Sequence, residues 1–144
     1  MSEHTFGGQA ASARPQRPLV PAMRRGAAGR CPRCGEGRLF GRFLKSVESC
    51  DACGETIGHH RADDLPAYLV IFIVGHIVVA AFMGVEAATD WSSWLHLALW
   101  VPLTVALSVA LIQPVKGAVI GLQWALYMHG FGGEHAALET HPEQ

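Results

Sequence analysis

Two long apolar runs dominate the second half of the chain, whereas residues 1–64 are polar and rich in Pro, Gly and Arg. The first run, residues 65–85, has no formally charged side chain, and the second covers residues 94–112 before Gln113 and Pro114. At about 1.5 Å per helical residue, each run reaches roughly 30 Å, the thickness of bilayer hydrocarbon. The pattern predicts a two-helix transmembrane hairpin, because the remaining chain is too short to bury two such helices in a soluble protein.

A third apolar stretch, residues 115–131, is shorter and carries polar side chains. Lys116 and Gln123 share one face of a helix, and apolar residues share another. We expect a helix over about residues 115–130 that lies on the membrane surface, with Trp124 at headgroup level. A short third span is the alternative.

Pairs of small residues four positions apart recur in the apolar half, at Ala80 and Gly84, Ala106 and Ala110, and Gly117 and Gly121. Small residues at this spacing let helix backbones approach each other closely. Pro102 lies within the second predicted span, where we expect it to bend the helix.

Basic residues are concentrated before the first span. Ten of the eleven Lys and Arg lie at or before Arg61, an asymmetry that the formal net charge of -1 conceals. The connector, residues 86–93, contains no Lys or Arg. Because basic segments stay on the cytoplasmic side, this distribution predicts a multi-pass protein of the bacterial inner membrane with a cytoplasmic N-terminus.

Both ends of the chain are predicted to be disordered. Residues 1–28 form an Ala-, Pro- and Arg-rich basic tail that cannot bury enough apolar surface to fold, and residues 132–144 are also polar. The N-terminal segment has no apolar stretch of the signal-peptide kind. We therefore expect the cysteines to stay in a reducing compartment, where metal binding is more common than disulfides.

All four cysteines fall in two Cys-x-x-Cys pairs separated by fifteen residues, at Cys31, Cys34, Cys50 and Cys53. A glycine follows each pair, at Gly35 and Gly54, where a tight turn favours positive φ. This spacing is typical of a structural zinc site, in which four thiolates occupy the corners of a tetrahedron. Iron of the rubredoxin kind and a dithiol redox pair are the alternatives.

The predicted knuckle covers residues 29–60. We expect a short β-hairpin between the two pairs, with a small core of Leu39, Phe40, Phe43 and Val47. A unit of this size cannot fold on apolar burial alone, so the metal would supply the folding free energy.

Several charged and histidine side chains flank the knuckle. Four basic residues would offset the -2 charge of a zinc–thiolate centre and attract anionic lipid headgroups, which makes nucleic acid a less favoured partner: Arg33, Arg38, Arg42 and Lys45. His59 and His60 are interpreted as linker residues, since four thiolates already fill the metal's coordination sphere.

His76, near the middle of the first span, is a candidate functional residue because ionisable groups inside a membrane are costly. The alternative is a neutral histidine bonded to Thr104 or Ser108 of the second helix. Glu86, Asp90 and His96 cluster at the outer rim of the predicted hairpin and form a candidate for weak metal binding. His76 and His96 would lie at different depths in the membrane, which argues against a haem bound between them.

The chain resembles a known family in four segments, which come in the family's order: CPRCGEGRLF, CDACG, ADDLPAYLVIFIVGHIV and QPVKGAVIGLQWALYMHGF. The family is domain of unknown function 983, and the similarity covers residues 29–132. It implies a zinc-ribbon-like knuckle before membrane helices, with the four cysteines as ligands. Other positions of the pattern carry no assigned role: Asp63, Asp64, Pro66, His76, Lys116, Gly117, Gln123 and Trp124.

The resemblance supplies no activity, although similar proteins are often encoded near genes for assembling haem-copper oxidases. No Ser-His-Asp arrangement, phosphate loop or HExxH motif occurs in the sequence. We therefore expect a non-enzymatic adaptor or assembly factor that contacts membrane lipids and a membrane-protein partner. The alternative is a metal-handling or thiol-redox membrane protein.

Overall fold

The computed structural model describes residues 15–58 and 64–132, which form three helices and a cysteine-rich knuckle. Helix α1 spans Leu19–Ala27, α2 spans Leu65–Ala88 and α3 spans Ser93–Ala125. Within the described residues the knuckle, residues 29–58, has isolated antiparallel bridges in place of strands. The predicted fold class is confirmed: a mainly helical chain in which a four-cysteine knuckle precedes two apolar helices.

Helices α2 and α3 are both long and apolar enough to cross a membrane. Their most apolar segments are only 11% and 6% buried within the protein, whereas a core helix of a soluble protein would be mostly covered. The two helices are antiparallel, since the ring of Phe82 near the end of α2 lies 5.2 Å from that of His96 near the start of α3. The apolar surface is therefore positioned to face lipid.

The predicted break between the second span and a separate third helix is wrong. Helix α3 continues through Pro114 for 33 residues, about 50 Å, of which roughly 20 residues suffice to cross the hydrocarbon. Proline removes one backbone donor, but neighbouring groups can compensate within a long helix. The part after Pro114 is covered by other segments of the chain, unlike the exposed apolar part before it.

Helix α1 corrects the prediction of a disordered tail over residues 1–28, part of which lies outside the described residues. It runs antiparallel along the end of α3, with Ala22 beside Gly121 and Gly26 beside Gly117. A Cβ atom added at Gly26 or Gly117 would overlap the carbonyl oxygen of the other. The prediction that Gly117 and Gly121 allow close helix contact is confirmed, and their partner is α1.

The small-residue pair of α2, Ala80 and Gly84, is not used in this way. A Cβ atom at Gly84 of α2 would meet nothing within 4 Å, so this glycine makes no close helix contact. Most of the predicted C-terminal tail, residues 133–144, lies outside the described residues, as do His59, His60 and Asp63.

Candidate metal centre

The two Cys-x-x-Cys pairs form matching turns. The Gly35 amide donates to the carbonyl of Cys31, and the Gly54 amide donates to that of Cys50, both at 2.9 Å. Both glycines have positive φ, 76° and 73°, as the sequence predicts. Each turn therefore presents its two thiols in the same way, and the knuckle brings the turns face to face.

The four sulfur atoms have the spacing of a tetrahedral site. All four thiols are free, and their Sγ atoms lie within 4.8 Å of one another. Two of the distances that join the pairs are 3.7 Å, from Cys31 to Cys53, and 3.8 Å, from Cys34 to Cys50. A tetrahedron with metal–sulfur bonds of about 2.3 Å has edges of about 3.8 Å. The donor set therefore fits a single ion of zinc size.

The surroundings of the thiols affect their ionisation in opposite ways. Burial raises the pKa of the Cys31 thiol to about 12 and also raises the pKa of Cys53. Hydrogen bonds from the backbone amides of Gly37 and Glu36 lower the pKa of Cys34 to about 6. Because a metal takes thiolates as ligands, its binding would release the protons that burial retains.

The knuckle has a small apolar core, with Leu39 and Ile57 fully buried and Phe40 and Val47 packed against it. Phe43 does not join this core: its side chain is 52% exposed, contrary to the prediction. The predicted hairpin is reduced to one antiparallel bridge, between Phe40 and Ser46. The loop between them extends Phe43 away from the core.

Glu55 and Trp124 join the knuckle to the end of α3. The Trp124 indole N–H donates to Oε1 of Glu55 at 2.9 Å, and Arg33 pairs with Oε2 at 3.1 Å. Arg17 completes the contact by donating to the Trp124 carbonyl at 2.8 Å and lying over the Trp124 and Tyr127 rings. We call the knuckle, α1 and the last part of α3 together the head.

The residues predicted to lie at the membrane surface hold the head together. Trp124 and Gln123 are buried, and Lys116 Nζ donates to the Leu44 carbonyl of the knuckle at 2.8 Å. These contacts join residues about 70 positions apart, so the local pattern of apolar and polar residues does not predict them. Arg17 and Glu55 were missed for the same reason.

We expect Glu55→Ala to loosen the head without changing its metal content. It removes the acceptor of the Trp124 indole and the partner of Arg33, and the loss of a partly buried hydrogen bond costs about 1–3 kcal/mol. Hydrogen exchange of the α1 and α3 amides should accelerate. Glu36→Ala, at an exposed carboxylate of the same knuckle, is the control, and equal exchange in the two variants would contradict this role.

His76 does not contact α3. Its side chain is exposed on α2, and Nδ1 lies 2.7 Å from the carbonyl of Phe72, one turn earlier. Thr104, one predicted partner, donates instead to the Trp100 carbonyl in its own helix. The predicted bond between His76 and the second span is therefore wrong, and the histidine faces outward from the hairpin.

The end of the hairpin that carries the α2–α3 connector brings together two of the three residues predicted to bind metal weakly. His96 Nε2 lies 3.0 Å from the Glu86 carboxylate, and the Trp100 indole donates to His96 Nδ1. Nδ1 accepts this hydrogen bond, whereas buried Nε2 lies close to the Glu86 carboxylate without forming a hydrogen bond to it. In the described part of the chain, Asp90 does not join them in a group that could hold a metal ion. The pair is best described as a contact that fixes the hairpin.

Fold and site together define a class: membrane proteins with a cysteine cluster that can bind metal, attached to two apolar helices. The chain belongs to the family described as protein of unknown function (DUF983), which matches residues 40–124. The match is narrower than the predicted 29–132, and it includes Cys50 and Cys53 but not the first cysteine pair. No curated protein and no solved structure matches the chain.

Proposed function

We propose that this chain is a non-enzymatic inner-membrane protein in which a zinc-stabilised cytoplasmic head serves as an adaptor or assembly factor. The observation that carries the proposal is the sulfur geometry, with edges of 3.7 and 3.8 Å among four free thiols. Four thiolates fill the coordination sphere of zinc and leave no position for a substrate or water. Such a site stabilises a fold and does not activate a reactant.

The attachment of the head supports an adaptor role. The knuckle and α1 contact α3 directly after the span, at Lys116 and Gly117 respectively. The head is therefore fixed to the membrane anchor. The basic N-terminal half and the connector without Lys or Arg favour a cytoplasmic head. The exposed apolar sides of α2 and α3 offer surface to a membrane-protein partner, for which we propose a subunit of an assembling respiratory oxidase.

One purification tests both parts of the proposal. The tagged full-length protein is isolated from membranes in mild detergent, and its metal content and co-purifying proteins are measured on the same sample. We expect one zinc per chain and a specific membrane protein that is lost from the Cys50→Ser variant. Ala52→Ser, which places a serine in the same turn, is the matched control. Absence of zinc would overturn the site, and absence of a partner would overturn the adaptor role.

A metal-handling or thiol-redox function is the second candidate, because the same sulfur distances need only a small movement to form disulfides. One tightly bound zinc per chain that is colourless and stable in air would exclude iron redox work. A coloured iron centre, or reversible disulfides at cytoplasmic redox potentials, would favour it. Nucleic-acid binding is expected to be absent even at low salt, where electrostatic binding is strongest.

A further inference from the structure

The position of the head relative to the bilayer follows from α3. The exposed apolar part of this helix ends near Ile112, and Lys116 and Gly117 follow one turn later. They lie roughly 6–8 Å beyond the hydrocarbon edge, which is the depth of the lipid headgroups. The head therefore begins within the headgroup layer.

One loop of the knuckle is held at this depth. The Lys116 side chain donates to the Leu44 carbonyl at 2.8 Å, which fixes the tip of the loop beside the membrane end of the head. The opposite end of the knuckle, at Glu55, is bonded to Trp124, which lies roughly 18 Å beyond the hydrocarbon edge. The knuckle thus has a membrane side and a cytoplasmic side.

The exposed side chains of this loop combine apolar and positive character. Phe43 is 52% exposed, and Arg42 and Lys45 on either side are also exposed. Within the described residues, neither cation takes part in an ion pair. The amides of Gly41 and Arg42 donate to the Lys45 carbonyl, so a tight turn presents the three side chains together.

We propose that residues 42–45 form a lipid-binding loop for anionic phospholipids of the cytoplasmic leaflet. Phe43 enters the interfacial region, while Arg42 and Lys45 bind the headgroup phosphates. The inference rests on the membrane placement given under the proposed function, and it adds a ligand class and a binding surface to the head. An exposed aromatic ring between two cations suits a lipid, which offers both an apolar region and a phosphate. Free phosphate would use only the two cations.

The test uses the photo-crosslinking residue p-benzoylphenylalanine in the full-length protein in native membranes. Placed at position 43, it should give an adduct with the mass of a phospholipid. Position 72 of α2, where Phe72 is exposed on the span, is the positive control. Position 56, where exposed Thr56 lies beside Glu55 on the cytoplasmic side, should give no lipid adduct. A protein adduct at position 43, or no adduct there, would overturn the proposal.

A second arm tests the headgroup chemistry in vesicles with equal amounts of phosphatidylglycerol and phosphatidylcholine. We expect adducts at position 43 to favour phosphatidylglycerol roughly fivefold, the contribution of about one basic side chain at an anionic surface. In the Arg42→Gln, Lys45→Gln double variant the preference should fall to about one. An unchanged preference would refute the role of the two cations.

The two controls separate failure of this inference from failure of the proposed function. A lipid adduct at position 72 without one at position 43 leaves the membrane placement intact and refutes the loop. Absence of a lipid adduct at position 72 refutes the membrane placement itself. Zinc content, measured on the same samples, reports independently on the metal centre.

Discussion

Replacing Cys50 with serine will lower the zinc content of the purified protein from about one ion per chain to well below one, and the knuckle will unfold. The serine oxygen is a poor substitute for a thiolate, and structural zinc contributes about 10–16 kcal/mol of apparent binding free energy to small domains. The apolar core centred on Leu39 and Ile57 is too small to replace that contribution. Trypsin cleavage after Arg38 and Arg42 should become rapid, while the spans remain inserted.

Ala52→Ser is the matched control for this change, because Ala52 is exposed in the same turn and contributes no ligand. It should keep its zinc and its resistance to trypsin. Metal content is measured by elemental mass spectrometry, and cleavage is followed over time in detergent. Full zinc content and unchanged cleavage in Cys50→Ser would show that the four thiols do not hold one ion.

The second large effect is expected from Gly117→Ala. The added Cβ atom would overlap the Gly26 carbonyl, a backbone group that cannot move aside without displacing α1. Overpacking of this kind costs about 1–3 kcal/mol. A cost of about 2 kcal/mol corresponds to roughly 30-fold faster hydrogen exchange of the α1 amides, because opening of α1 becomes easier by that factor.

Gly84→Ala in α2 is the matched control. It adds the same methyl group to a helix but does not affect the contact between Gly117 and Gly26. Nothing lies within 4 Å of a Cβ atom at Gly84, so this variant should exchange as the unaltered protein does or more slowly. Mass-resolved hydrogen exchange in detergent or in nanodiscs gives the comparison. If α1 exchanges at the same rate in both variants, the glycine contact does not hold the head together.

The parts of the fold that depend on local chemistry were predictable from the sequence. The apolar runs indicated the spans, and the Cys-x-x-Cys spacing with Gly35 and Gly54 indicated two matching turns. Each of these features is set within a few residues by side-chain hydrophobicity or backbone geometry. The clustering of the four thiols follows once two such turns face each other across a short loop.

The parts that depend on distant contacts were not predictable in this way. Pro114 was interpreted as a helix end because proline removes a donor, but packing of the following residues against α1 and the knuckle extends the helix. Helix α1 was missed because its composition resembles that of a tail. One signal was available: Ala22 and Gly26 have the same four-residue spacing as Gly117 and Gly121.

Helix α1 is synthesised well before the part of α3 against which it packs. Arg17 has to wait for Trp124, 107 residues further along the chain, before their contact can form. At about 5–20 residues per second, the ribosome takes roughly 5–20 seconds to cover that distance. During this interval the nascent N-terminal segment lacks its final partner. Helix α1 therefore cannot dock before almost the whole of α3 has been made.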